Sequence, residues 1–186
     1  RTCDACGGRG TVIENPCKAC RGTGTVQATK TLEVSIPAGI DNGQRISLRG
    51  QGSDGLRGGS AGDLLISVAV KAHPVFERDG YDIYCEVPIT FTEATLGAEI
   101  DIPTLEGKEK FTVPEGTQTG TSFTLKQKGV PYVNNSSRRG DLIITVVIEV
   151  PKNLSSAQKE KLREFAELSG ETNYTKKTRF FKKFFK

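Results

Sequence analysis

Gly62-Asp63-Leu64-Leu65-Ile66-Ser67-Val68-Ala69-Val70 is a turn followed by a β-type run, and Gly140-Asp141-Leu142 with Val146 and Ile148 repeats it 78 residues later. The repeat extends backward. Ile36-Pro37-Ala38-Gly39 with Gly43, Ile46, Leu48, Arg49 and Gly52 lines up with Val113-Pro114-Glu115-Gly116 and Gly120, Phe123, Leu125, Lys126 and Gly129, at an offset of 77. A one-residue change of offset costs one insertion in a loop, so two copies of one β unit is the economical reading. The second copy opens near Gly80 and the first only at Gln27, so the first looks truncated at its front. Other runs agree. Ile83, Cys85, Val87, Ile89 and Phe91 alternate, which predicts a half-buried strand with Cys85 as a core thiol. Leu32, Val34 and Ile36 alternate in the same way and predict a strand over Thr31 to Ile36.

Outside the repeats the pattern changes. After Pro151, Ser155 stands three residues before Gln158, a capping-box spacing. Leu162, Phe165 and Ala166 follow at helical spacing, so one amphipathic helix is expected to end near Gly170, its apolar face buried on its own domain or on a second copy of the chain. The last eleven residues hold six cations (Lys176, Lys177, Arg179, Lys182, Lys183, Lys186) and no acid, with four phenylalanines at 180, 181, 184 and 185.

The 186 residues carry a net charge of +4, but of 26 Lys and Arg six lie in that tail, leaving 20 against 22 acids in the body. A nucleic-acid surface needs cations along folded elements, so no nucleic-acid partner is expected. No apolar run reaches membrane length. The tail could lie on a membrane surface or dock on a partner subunit; the helix beside it favours docking, and no membrane partner is expected. One histidine leaves no Ser/His/Asp grouping. The Gly50 to Gly62 stretch lacks the lysine-and-hydroxyl ending of a phosphate loop. No enzymatic activity is expected.

Four of the five cysteines open the chain as Cys3-Asp4-Ala5-Cys6-Gly7-Gly8-Arg9-Gly10 and Cys17-Lys18-Ala19-Cys20-Arg21-Gly22-Thr23-Gly24, two copies of C-x-x-C-x-G-x-G. Two-residue spacing lets both thiolates of a pair face one ion, and the glycines permit the positive-φ turn that brings amides toward sulfur. Cys3, Cys6, Cys17 and Cys20 are therefore expected to ligate zinc, in a structural role, because a thiolate shell leaves no open position. The alternative chemistry for such pairs is thiol–disulfide exchange, without a strand–helix context to support it. The opening at Arg1, with no Met anywhere and a cysteine motif at once, is expected of a fragment.

Together these motifs, with His73-Pro74-Val75-Phe76-Glu77-Arg78-Asp79-Gly80, Leu96-Gly97 and Ile102-Pro103-Thr104-Leu105, resemble the zinc-containing DnaJ co-chaperones of bacteria across essentially the whole chain. The resemblance implies a mainly β fold: residues 1–26 the second half of a Cys-rich zinc region, 27–79 a first β-sandwich-like substrate-binding domain lacking its front, 80–151 a second, and 152–186 a C-terminal helix with a basic aromatic dimerisation tail. It implies cytoplasmic binding of exposed apolar segments of unfolded client polypeptides, transfer to the DnaK chaperone, and homodimerisation. Candidate client contacts are Leu32, Val34 and Phe76. The family has four cysteine repeats, first pairing with fourth and second with third. The two pairs here thus stand as halves of two sites, or else close one four-cysteine site. His73-Pro74 is followed by Val75 rather than Asp, so this chain is not expected to stimulate the partner's ATPase.

Overall fold

The structure, a computed structural model, describes residues 2–8, 10, 12–55, 59–170 and 173–184. It divides into two compact units, Arg1–Ile36 and Pro37–Lys186.

The centre of the larger unit is a four-stranded sheet. β3 (Glu77–Asp79) pairs antiparallel with β4 (Asp82–Thr90), β4 lies parallel to β10 (Leu142–Glu149), and β10 pairs antiparallel with β7 (Ser122–Leu125). The alternation at 83–89 is what buries β4: Ile83, Cys85, Val87 and Ile89 are buried, and Leu142, Ile144 and Val146 face them with no exposed surface. Against this sheet packs the hairpin of β5 (Ala98–Thr104) and β6 (Gly107–Val113), whose Ile102 and Val113 complete the core. Phe111 on β6 meets Phe123 on β7 at 5.1 Å between ring centroids. A smaller hairpin, β8 (Pro131–Tyr132) with β9 (Asn135–Arg139), follows β7. Burial of Cys85 pushes its thiol pKa up, with the charge of Glu86 adding to it, as befits a packing residue.

The earlier repeat is β1 (Arg45–Leu48) paired antiparallel with β2 (Leu64–Ser67), and the correspondence holds bond by bond. Ile46 faces Ile66 and Leu48 faces Leu64, as Phe123 faces Ile144 and Leu125 faces Leu142. The amide of Gly43 donates to Val68 O and that of Val68 to Gln44 O, matched by Gly120 to Val146 O and Val146 to Thr121 O, all at 2.9 or 2.8 Å. Gly50 N reaches the Asp63 carboxylate at 2.9 Å, and Gln127 N reaches that of Asp141 at 3.0 Å. Asp141 also holds Lys126 Nζ at 2.6 Å, and that contact, then the Gln127 amide, lowers its pKa. Gly52 and Gly129 sit where a Cβ would stand 2.8 Å and 2.6 Å from the nearest backbone oxygen. The repeat inferred from spacing is a structural repeat.

The copies differ at one edge. β10 is paired on both sides, by β7 and along eight residues by β4. β2 is paired on one side only among the described residues. Accordingly Leu64 and Ile66 are half-buried where Leu142 and Ile144 are fully buried.

Three expectations need correction. Thr31 to Ile36 keeps its alternation only in part, Leu32 and Val34 half-buried but Ile36 60% exposed, and is assigned to no strand. Alternation is a side-chain signal, whereas a strand requires a backbone partner. Phe91 does not end β4; it begins a short helix, α1 (Phe91–Leu96), because Thr90 and Glu93 form a capping box. The β run from Leu64 ends as a strand at Ser67, with Val68 bonded beyond it to the turn at 43–44.

The expected C-terminal helix is α2 (Ser156–Leu168), capped reciprocally by Ser155 and Gln158. Its Phe165 meets Phe91 edge-on at 6.3 Å, which seats the helix on its own domain. Part of the basic aromatic tail is a second helix, α3 (Thr175–Phe184); residues 185 and 186 lie outside the described residues.

Unequal closure has a measurable consequence. Ile144→Ala should cost about 2–5 kcal/mol, as for a buried aliphatic residue in a close-packed core. Its repeat counterpart Ile66→Ala should cost about 1 kcal/mol, because Ile66 already meets solvent. Urea unfolding followed through amide signals of each β unit measures both; equal costs would contradict the difference in closure.

Candidate metal and client-binding sites

In the unit Arg1–Ile36 the two cysteine motifs adopt one local shape. Gly7 N donates to Cys3 O at 2.8 Å, and Arg21 N to Cys17 O at 2.7 Å. The backbone then turns through positive φ at equivalent places: +55° at Gly7 and +49° at Arg21, +86° at Gly8 and +93° at Gly22, +77° at Gly10 and +79° at Gly24. At Gly22 a Cβ would stand 2.8 Å from Ile13 Cδ1, so the glycine also admits the apolar insert between the motifs. Thr23 closes the second turn through its amide and hydroxyl, both donating to Cys20 O at 2.9 and 2.7 Å.

This turn prepares a thiolate. The Cys17 pKa is lowered, first by the Cys20 amide, then by the Ala19 amide, then by the Cys20 thiol. Amides aimed at sulfur favour the deprotonated, metal-binding form. Four thiols on two such turns are a donor set chemically suited to a soft divalent ion. Among the described residues, however, no three of His, Cys, Asp and Glu stand together as a metal-holding group. All four thiols are free of disulfides; Cys3 and Cys17 are exposed, Cys6 and Cys20 partly covered.

The client candidates fall in different units. Leu32 and Val34 lie in Arg1–Ile36. Phe76 lies in the larger unit, half-buried against the core of the second β unit and stacked on His73 at 5.1 Å. It lines an open cleft of about 680 Å³ with Val75, Tyr84 and Thr145. Spacing alone did not show that Phe76 packs on the second copy rather than the first.

The order of these parts is what decides the family. A model of the DnaJ C terminal domain matches residues 5–151, and one of the Chaperone protein DnaJ C-terminal region matches 157–186. The chain belongs to the DnaJ C-terminal domain family. Among proteins of this family, the Chaperone protein DnaJ of Acetivibrio thermocellus is 57% identical over 98% of this chain and 47% of its own length. That of Ruminiclostridium cellulolyticum is 55% identical over 98% and 48%, and that of Caldicellulosiruptor saccharolyticus 54% over 97% and 46%. The chain spans about half the length of the curated relatives it matches. Within the family frame, the two glycine-rich turns and the two β units occur in the order the sequence motifs place them.

The thiols should report their surroundings. In reduced, chelator-treated protein at pH 7, iodoacetamide should modify Cys17 at least about ten-fold faster than Cys85, because one thiol is exposed with a lowered pKa and the other buried with a raised one. Mass spectrometry of quenched samples measures both rates, which should converge in denaturant. Equal rates in the folded protein would contradict the two environments.

Proposed function

We propose that this chain is the client-holding part of a DnaJ-type co-chaperone: a non-enzymatic, zinc-supported β arm that binds exposed apolar segments of unfolded polypeptides in the cytoplasm. The observation that carries the reading is one β unit used twice in tandem, in a chain whose family match runs nearly end to end. An extended client adds to unpaired backbone by main-chain hydrogen bonds, and pockets for alternate side chains supply selectivity. Leu32 and Val34 offer such an alternating surface, with Phe76 as a further apolar contact. The expected boundary at 79/80 moves back, because β3 (Glu77–Asp79) pairs with β4 in the second unit's sheet: the first domain runs from 27 to the residues before β3 and the second from Glu77 to 151. In the full-length protein a strand equivalent to β4 would close the outer edge of β2, supplied by the half of the relatives' length that lies outside this chain.

Zinc would be held by thiolates of Cys3, Cys6, Cys17 and Cys20, and when bound it supplies rigidity to a segment too glycine-rich to hold a core. The separate local geometry of the pairs favours two half-sites, each completed by cysteines from elsewhere in the full-length protein. Homodimerisation falls to residues 152–186, where Leu168 of α2 and Phe180 and Phe184 of α3 are exposed at 86, 63 and 73%. The partner DnaK would be engaged by a region outside these residues, since the one histidine, His73, belongs to a His-Pro-Val sequence.

The test is suppression of aggregation. Added in excess to a thermally denatured reporter enzyme, the chain should reduce light scattering. The double variant Leu32→Asp with Val34→Asp should lose most of that effect while keeping the amide signals of both β units. No suppression by the unsubstituted chain would contradict the reading. Metal analysis of the same preparation should give less than one zinc ion per chain; one ion held by all four thiolates would replace the half-site assignment.

A further inference from the structure

Covalently linked β units move relative to one another unless something holds them, and here two independent features meet at one turn of the first unit. The side chain of Arg78, on β3 of the second unit, reaches back to Pro37–Asp41. Its Nη1 donates to Ile40 O, its Nη2 to Gly39 O and its Nε to Gly80 O, each at 2.8 Å, and the Asp41 carboxylate stands 3.7 Å from Nη2. From the other side, Gly39 lies directly on the β8–β9 hairpin: a Cβ there would stand 1.9 Å from Pro131 O and 3.3 Å from Val133 N.

The internal repeat supplies a control. Gly116 occupies the same place in the second copy, with φ +73° against +87° at Gly39, yet a Cβ at Gly116 would meet nothing within 4 Å. Both positions need glycine for the turn. Only Gly39 needs it for close approach.

The receiving surface is braced. The Tyr132 ring stacks on Tyr81 at 3.9 Å and carries the Arg138 guanidinium 4.7 Å above it, while Val130 N donates to Tyr81 O. The connector is also turned rather than slack: His73 Nδ1 accepts from the amides of Val75 and Phe76, both at 3.2 Å, and Phe76 packs on the second unit's core.

We infer that the Pro37–Asp41 turn is the seat of a fixed joint between the two β units, with Arg78 as its positioning residue. A guanidinium carries its donors in a rigid planar fork and can hold three carbonyls in set directions at once; a lysine ammonium at the end of a flexible stem cannot. The joint fixes the direction in which the first β unit points from the second. Its use, holding the first β unit's β1–β2 pair at a set angle to the second β unit during client binding, rests on the function proposed above; the joint itself does not.

Residual dipolar couplings of backbone amides in the 186-residue chain test it, because they report the relative orientation of the two units without labels. One alignment tensor should fit residues of β1 and β2 together with those of β4 and β10. In Arg78→Lys, which keeps the charge toward Asp41 but loses the fork, the common tensor should be lost. Gly39→Ala, which forces the same contact apart from the opposite side, should lose it too, with amide shifts inside each ladder unchanged. Separate tensors in the unsubstituted chain, or a common tensor retained in both variants, would overturn the joint. A common tensor kept in Arg78→Lys alone would overturn the role of the fork. Failure of the unsubstituted chain to suppress aggregation leaves these couplings unaffected, so the two claims fail separately.

Discussion

Backbone pairing along a buried strand is the constraint on which the rest of this structure depends. An apolar strand can be withdrawn from water only if its amides and carbonyls find partners on both sides. β10 meets that condition through β4 and β7, and Leu142, Ile144 and Val146 are buried in consequence. The β5–β6 hairpin packs on the sheet so formed, and α1 and α2 are anchored at its end through Phe91 and Phe165. β2 has the same register toward β1 but one edge without a partner among the described residues, and its equivalent side chains stay half-buried. One β unit is thus used twice, its central strand paired on both sides in one copy and, among the described residues, on one side in the other.

Much of this could be read from the sequence because its signals are local and duplicated. Turn glycines recur at fixed offsets, so the equivalence of Gly43 with Gly120 and of Asp63 with Asp141 survived the change from 77 to 78 residues. The capping box at Ser155 is set by two side chains and needs no tertiary context. The same spacing, Thr90 to Glu93, was also present, but the period-two pattern ran over it and carried the strand one residue too far. Thr31 to Ile36 shows the limit of alternation: Leu32 and Val34 turn inward, Ile36 does not, and the pattern says nothing about whether a neighbouring strand exists. Gln127, with φ +58°, matches Gly50 at +66°, and each amide is held by the equivalent carboxylate, Asp141 or Asp63; a glutamine in that conformation is a substitution no residue-type rule finds.

The site was legible to different depths. Cysteine spacing was enough to place the two glycine-rich turns, because four residues and the glycines after them define that local geometry alone. How the pairs combine into sites depends on chain segments far apart, and spacing carries no such information. The joint at Arg78 was invisible for the same reason: its partners are carbonyl oxygens, which every residue has, and only the fold selects Gly39 and Ile40 from among them.

The two β units are one structure closed differently. Ladder alternation points the amides of Ile143 and Thr145 toward β4, and those of Leu65 and Ser67 toward the outer edge of β2. Amide hydrogen exchange, followed residue by residue on the folded chain, compares them directly. Strong protection is expected at Ile143 and Thr145 and rapid exchange at Leu65 and Ser67; protection of Leu65 and Ser67 equal to that of their counterparts would contradict the difference in closure.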